Sequence, residues 1–198
     1  MTIATLLLLS ALSTPATAIS VHGTVELLEN GTTQTVKRFM KIPEGSTLIT
    51  RANSHLSIRF ESGSQLRVGP DSKITLSQVE QSEKAGERTE KIRLLFGKVW
   101  ARVMKLVGNK AVFEIRTKHA VAGVRGTAFW AESAGSQDSF SVDHGAIALL
   151  RENAKPLTLE GRGAHCTASS GGISAASRLE NRAIEQLRTQ VGGAPASA

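Results

Sequence analysis

The stretch from Gly45 to Leu76, GSTLITRANSHLSIRFESGSQLRVGPDSKITL, is interrupted too often to be anything but short strands. Leu56, Ile58 and Phe60 alternate with Ser57 and Arg59, and Ser62-Gly63-Ser64 then supplies a turn. Leu66 and Val68 resume the pattern, and Gly69-Pro70-Asp71 breaks it again before Ile74 and Leu76. Side chains two apart share one face of an extended chain, so each run can bury one face and wet the other. Three strands within about 25 residues is the spacing of a sandwich, a barrel or a coiled β-layer.

The rest of the chain repeats this pattern. HGTVELLENG sets Val25 and Leu27 on one side and closes at Asn30-Gly31, a pair that tolerates positive φ and favours a hairpin. In LLFGKVWARVMKL, Val99, Ala101 and Val103 point one way and Lys98, Trp100 and Arg102 the other. AVFEIRT, SFSVDHGAIALL and KPLTLEGRGAHC add short strands, the second folding back around Asp143-His144-Gly145. Residues 78–93, QVEQSEKAGERTEKIR, carry charges of both signs and almost no large apolar side chain. They read as a solvated loop or a protruding hairpin, with a charged interaction arm as the alternative. TASSGG then has the composition of a linker. Beyond it Ile173, Ala176, Leu179, Ala183, Leu187 and Val191 fall near helical spacing. The predicted fold class is all-β, with a short C-terminal helix that packs on the β-body or caps its open end, and a disordered tail, GGAPASA.

Near the N-terminus, TIATLLLLSAL is an apolar run too short to span a bilayer. STPATA follows and places small residues at Ala16 and Ala18, an A-x-A pattern that predicts a leader over residues 1–18 with cleavage after Ala18. No Lys or Arg precedes the apolar run, so the α-amino group alone supplies its positive end. No later stretch approaches about 18 uninterrupted apolar residues, so the mature chain is expected to carry no transmembrane segment and to be periplasmic or secreted. The formal net charge of +7 stays with the mature part, because the leader holds no charged side chain. Inside a cell such a charge suggests nucleic acid. Export replaces that expectation with lipid headgroups, acidic glycans and acidic proteins, and no nucleic acid. The single cysteine, Cys166, cannot form a bridge within the chain. With no Tyr and only two Trp, the core rests on Val, Leu, Ile, Ala and six Phe.

Several stretches in fixed order carry a resemblance. The long Gly45–Leu76 segment comes first; then LLFGKVWARV, with Leu-x-x-Gly-x-Val; then FEIRT, with Phe-x-Ile-x-Thr; then Val124-Arg125-Gly126-Thr127, followed by SFSVDHGAIALL. The set resembles the FecR domain of bacterial envelope proteins over about residues 20–164. The resemblance implies a compact β-solenoid or β-sandwich body outside the inner membrane, spanning 19–166, with 167–198 as linker, helix and tail. It also implies protein–protein or envelope binding without catalysis, in a scaffolding or sensing role. Family members built as signal transducers carry a cytoplasmic anti-sigma region and a membrane helix ahead of the domain. Neither pattern is read here, which turns the expectation away from direct control of a sigma factor.

Two groups of residues stand out as candidate sites. Arg125-Gly126-Thr127 sits between apolar neighbours in AVAGVRGTAFW, which reads as an interior strand whose Arg is an internal strut with a buried partner. Gly126 then marks a close approach of another layer. The second group is the basic face Lys98, Trp100 and Arg102, with Lys105 and Lys110 beyond. A Trp among cations suits a protein hot spot or an acidic glycan, which makes a glycan- or peptidoglycan-binding module the alternative function. The five histidines are scattered without metal-ligand spacing, and neither a nucleophile-elbow motif nor a phosphate-cradling glycine loop occurs. Neither cofactor nor metal is expected, and Cys166 lacks the setting of a thiol nucleophile.

Overall fold

The computed structural model describes residues 16–81, 88–105 and 111–193. The expected leader up to Pro15, Lys110 and the tail from residue 194 lie outside these. The first half runs β1 (Ala16–His22), β2 (Val25–Glu29), β3 (Thr32–Thr35), β4 (Lys41–Ile42), β5 (Thr47–Thr50), β6 (His55–Phe60), β7 (Gln65–Val68), β8 (Ser72–Gln81) and β9 (Arg88–Arg102). The second half adds β10 (Ala111–Arg116), β11 (Val121–Val124), β12 (Ala128–Ser133), β13 (Gln137–His144), β14 (Ala146–Leu150), β15 (Leu157–Glu160), β16 (Ala164–Ser169), β17 (Gly172–Ile173), β18 (Ser177–Arg178) and α1 (Asn181–Gln190). The all-β expectation with one short C-terminal helix holds.

The strands form two layers. One, layer A, runs β4-β1-β6-β7-β9-β12-β13-β16, with β17 and β18 at its end. The other, layer B, runs β3-β2-β5-β8-β9-β10-β11-β14-β15. The chain passes back and forth between them, and the inner faces share one apolar cluster that includes Ile58, Val99 and Phe140 from A and Leu48, Ile92 and Ile147 from B. Alternation in the sequence is therefore alternation between this cluster and the outside: β7 reads half-buried, buried in turn, and β6 does the same except that its Arg59 is exposed.

One strand belongs to both layers. Residues 88–96 of β9 pair with β8, and 97–102 pair with β7 and β12. The crossing is at Gly97, where φ is +93°, and a Cβ there would stand 2.5 Å from Ser72 Cα. The Ser72 hydroxyl fills that space, accepting from Lys98 N at 2.9 Å and donating to Pro70 O. Of residues 78–93, expected as a loop or a protruding hairpin, 78–81 and 88–93 are the paired outer arms of β8 and β9, with β10 parallel against the second arm, and 82–87 lie outside the described residues.

β1 includes described residues ahead of Ile19: Ala16 pairs with Ile42 and Phe60, Ala18 with Ile58, and both alanines are buried in the core. TASSGG is no linker, because Thr167–Ser169 complete β16 and the following glycines turn into β17. The helix is confined to ten residues, since β17 and β18 take up the segment ahead of it.

Candidate functional site

Across the outer face of layer A a single row of paired residues runs Arg67, Trp100, Trp130, Ser141, His165. Lys98, Trp100 and Arg102 do alternate against the core residues Val99, Ala101 and Val103. The expectation of an open, solvated Trp face is nevertheless corrected: Trp100 is 1% exposed and Trp130 3%. The covering element is α1, which sets Ile184 and Val191, with Leu179 and Leu187 at the margin, onto both indoles and Ala128. The helical spacing of these residues was visible in the sequence; the face they would meet was not. Arg102 remains exposed and Lys98 is half-buried.

Polar contacts fix the C-terminal half of the helix and the residues just beyond it. Arg188 Nη2 donates to Asp143 Oδ1 at 3.0 Å, with Asp143 fully buried, and Arg188 also reaches Glu185. Lys98 Nζ donates to Gln190 Oε1 at 2.8 Å and lies 3.3 Å from Glu132. Arg67 donates to the Gly192 and Gly193 carbonyls that end the helix, where the macrodipole favours a cation. Its guanidinium stands 5.5 Å from the Trp100 ring, and burial pulls its pKa below the ordinary value. Yet the contact is incompletely satisfied. Among the described residues six buried side-chain nitrogen or oxygen atoms have no hydrogen-bond partner, and five belong to this seam: Arg67 Nε, Trp100 Nε1, Trp130 Nε1, Asp143 Oδ2 and Arg188 Nε. Buried polar groups are ordinarily paired, and an unpaired one costs about 1–3 kcal/mol.

The Arg125-Gly126-Thr127 segment is a corner, where the sequence suggested an interior strand. β11 lies in layer B and β12 in layer A, and the three residues carry the chain between them. Arg125 is exposed, so the strut reading is corrected for that residue: the chain bends before the guanidinium can enter the core. Gly126 and Thr127 are architectural. Gly126 has φ +65°, and a Cβ there would stand 3.0 Å from Lys105 Cβ. Buried Thr127 donates to Ala146 O at 2.7 Å, binding this corner to the adjacent one at Gly145.

Nucleophiles and histidines are placed without catalytic geometry. Cys166 is buried in β16, and burial pushes its thiol up to about 11. Asp138 is fully buried and accepts from Ser133 Oγ at 2.7 Å and from His119 N at 2.9 Å, with His119 Nδ1 at 3.0 Å. The carboxylate stands between serine and imidazole, so the imidazole cannot take the Ser133 proton. Ser141 Oγ does lie 2.9 Å from His165 Nδ1, but Ser141 is 3% exposed. Desolvation lowers the His165 pKa. Sequence spacing gave no sign of either contact, because both join different strands. Among the described residues no three His, Cys, Asp or Glu side chains cluster as a metal site, and no helix is long and apolar enough to cross a membrane.

The family model for "FecR protein" matches residues 46–148. Two crystal structures of a protein described as a "putative anti-sigma factor", from Parabacteroides distasonis ATCC 8503, are similar in fold. At 1.65 Å resolution the match has a TM-score of 0.55, and at 2.50 Å 0.56, each at 13% identity over 70% of this chain. This chain corresponds to 62% of that chain's length. A search of curated proteins finds no match.

Proposed function

The chain belongs to the FecR family, and from that premise we propose that it is a non-catalytic regulatory domain that binds a protein partner in the bacterial cell envelope. The observation that carries this reading is the Trp100–Trp130 pair under α1. Both of the chain's tryptophans lie side by side on the outside of a β-body that already has a complete core between its layers. Trp and Arg concentrate where protein partners bind, and the helix that occupies the face leaves the indole N–H groups and Arg67 Nε unsatisfied. A partner segment with acceptor groups matches those donors better than α1 does. Export and an envelope location belong to the same proposal and rest on the A-x-A pattern after the apolar run. The FecR match favours regulation over catalysis. Binding of a glycan to an open Trp100 loses its support, because the ring is covered.

The experiment is photo-crosslinking in living cells with a photoreactive amino acid at Leu187 or Trp130, compared with one at exposed Thr33. Protein adducts from the first two positions and not from the third are expected. Adducts from Thr33 alone, or no protein adduct from any position, would overturn the reading.

A further inference from the structure

A second outer row of layer A lies beside the helix-covered one. Its register runs Lys41, Thr17, Arg59, Gln65, Arg102, through β4, β1, β6, β7 and β9. Every core-facing neighbour on these strands is buried: Ile42, Ala16, Ile58, Phe60, Leu66 and Ala101. The row therefore faces outward along its whole length, and its three cations are exposed. The pattern is regular, a cation on every second strand with a hydroxyl or an amide between. Adjacent strands lie about 4.8 Å apart, which sets the cations about 10 Å apart in a line across the sheet. Among the described residues none of the three cations forms an ion pair; Lys41 Nζ donates to Thr17 Oγ1 at 3.2 Å. The row ends at Ala128, under α1, and the crossover before β4 adds exposed Lys37 and Arg38 at the far end.

We infer that this row binds a linear acidic polysaccharide lying across the strands, with one carboxylate per disaccharide meeting Lys41, Arg59 and Arg102 in turn. The spacing selects the polymer. A duplex presents a phosphate every 3.4 Å along each strand, far denser than the row, and a single strand binds by stacking on aromatic rings that the row lacks. A bilayer surface presents a two-dimensional field of headgroups, and anchoring there calls for an apolar side to bury, where the row alternates cations with Thr17 and Gln65 and its far end adds a single exposed ring, Phe39 beside Arg38. A sugar chain offers hydroxyls between its charges, which suits those two neutral groups. The inference is independent of the protein-binding face, since it uses no residue under α1.

The test uses the full chain and defined probes: hyaluronate oligosaccharides, with one carboxylate per disaccharide; vesicles containing phosphatidylglycerol; and a DNA duplex. Arg59→Ala/Arg102→Ala is compared with wild type, and equal thermal melts check that both are folded, as two exposed positions lead one to expect. Wild type should bind hyaluronate more tightly than vesicles or duplex, and the affinity should fall as salt rises. The double variant should lose at least tenfold in affinity for hyaluronate, and Lys155→Ala, an exposed cation between β14 and β15 of layer B, should lose none. Unchanged hyaluronate affinity in the double variant, equal or tighter binding of vesicles or duplex, or no binding of hyaluronate at low salt would each overturn the inference.

Discussion

Arg188 on the last turn of α1 donates to buried Asp143 on β13 across 3.0 Å, while the second oxygen of that carboxylate has no hydrogen-bond partner among the described residues. Of the contacts that hold the helix this pair is the most buried, and among the described residues the apolar contact beside it buries Ile184 and Val191. A ten-residue helix is marginal in water by itself, so its order depends on this docking.

Arg188→Ala should therefore release the helix. Removing one partner of a buried pair leaves an uncompensated charge, at a cost of about 3–5 kcal/mol when the carboxylate stays buried. Undocking hydrates Asp143 and uncovers both indoles. Because the chain has two tryptophans and no tyrosine, intrinsic fluorescence reports this contact directly. The emission maximum should shift to the red while the far-ultraviolet β signature stays in place.

Gly97→Ala should be among the most damaging single changes. The residue combines positive φ with a Cβ position 2.5 Å from Ser72 Cα, so the crossing of β9 must distort or open. Loss of about 3 kcal/mol or more is expected, read as a lowered midpoint in urea.

Gly126→Val and Arg125→Ala separate the corner from a strut. The first places a branched side chain at φ +65° against Lys105 and should destabilise by about 1–3 kcal/mol. The second removes an exposed side chain and should cost less than about 1 kcal/mol. Thermal melts of both distinguish these outcomes.

The N-terminal boundary has a measurable consequence. Among the described residues β4 pairs with Ala16 and Thr17 alone, and Ala18 exchanges hydrogen bonds with Met40 and Phe39. A chain beginning at Ile19 should be less stable than one beginning at Ala16 by about 1–3 kcal/mol, the worth of a few net hydrogen bonds. Comparing the two purified forms by urea unfolding checks this, and N-terminal sequencing of exported material shows which one cells produce.

Acidification should weaken the fold through His55 and His165. Desolvation lowers both pKa values, with His22 adding to the effect at His55. The unfolded chain then takes up protons first as pH falls below about 6.5, the ordinary imidazole value. Stability is complete above that value, declines as pH falls towards the lowered folded pKa values, and is flat below them with respect to these two groups. His165→Gln should reduce the slope while keeping a hydrogen bond to Ser141 within reach.

The strands were legible because alternation against a single core leaves a period of two: Leu56, Ile58, Phe60 and Val99, Ala101, Val103 all face where the pattern placed them. The same period misled at Trp100. Alternation says which face a side chain takes, and says nothing of what lies on that face, here a helix some 80 residues later in the chain. Arg125 was misread because apolar residues continue on both sides of a bend, and a corner between layers looks in sequence like an uninterrupted strand. The cationic row was invisible for another reason. Lys41, Arg59 and Arg102 come from three separate runs, and only the register brings them into line.

The membership of β9 in both layers bears on how the molecule opens. Neither sheet can exchange its amide hydrogens by parting from the other, because the backbone that closes one ladder continues into the next. Ladder amides of the central strands β5 to β14 should thus exchange only through one collective opening. β17 and β18 hang on two-residue ladders and α1 on a small apolar contact and a few polar ones, and together they form a separate, faster unit. The Trp pair lies on the boundary between the two, so the event that bares it need not disturb the body that holds it.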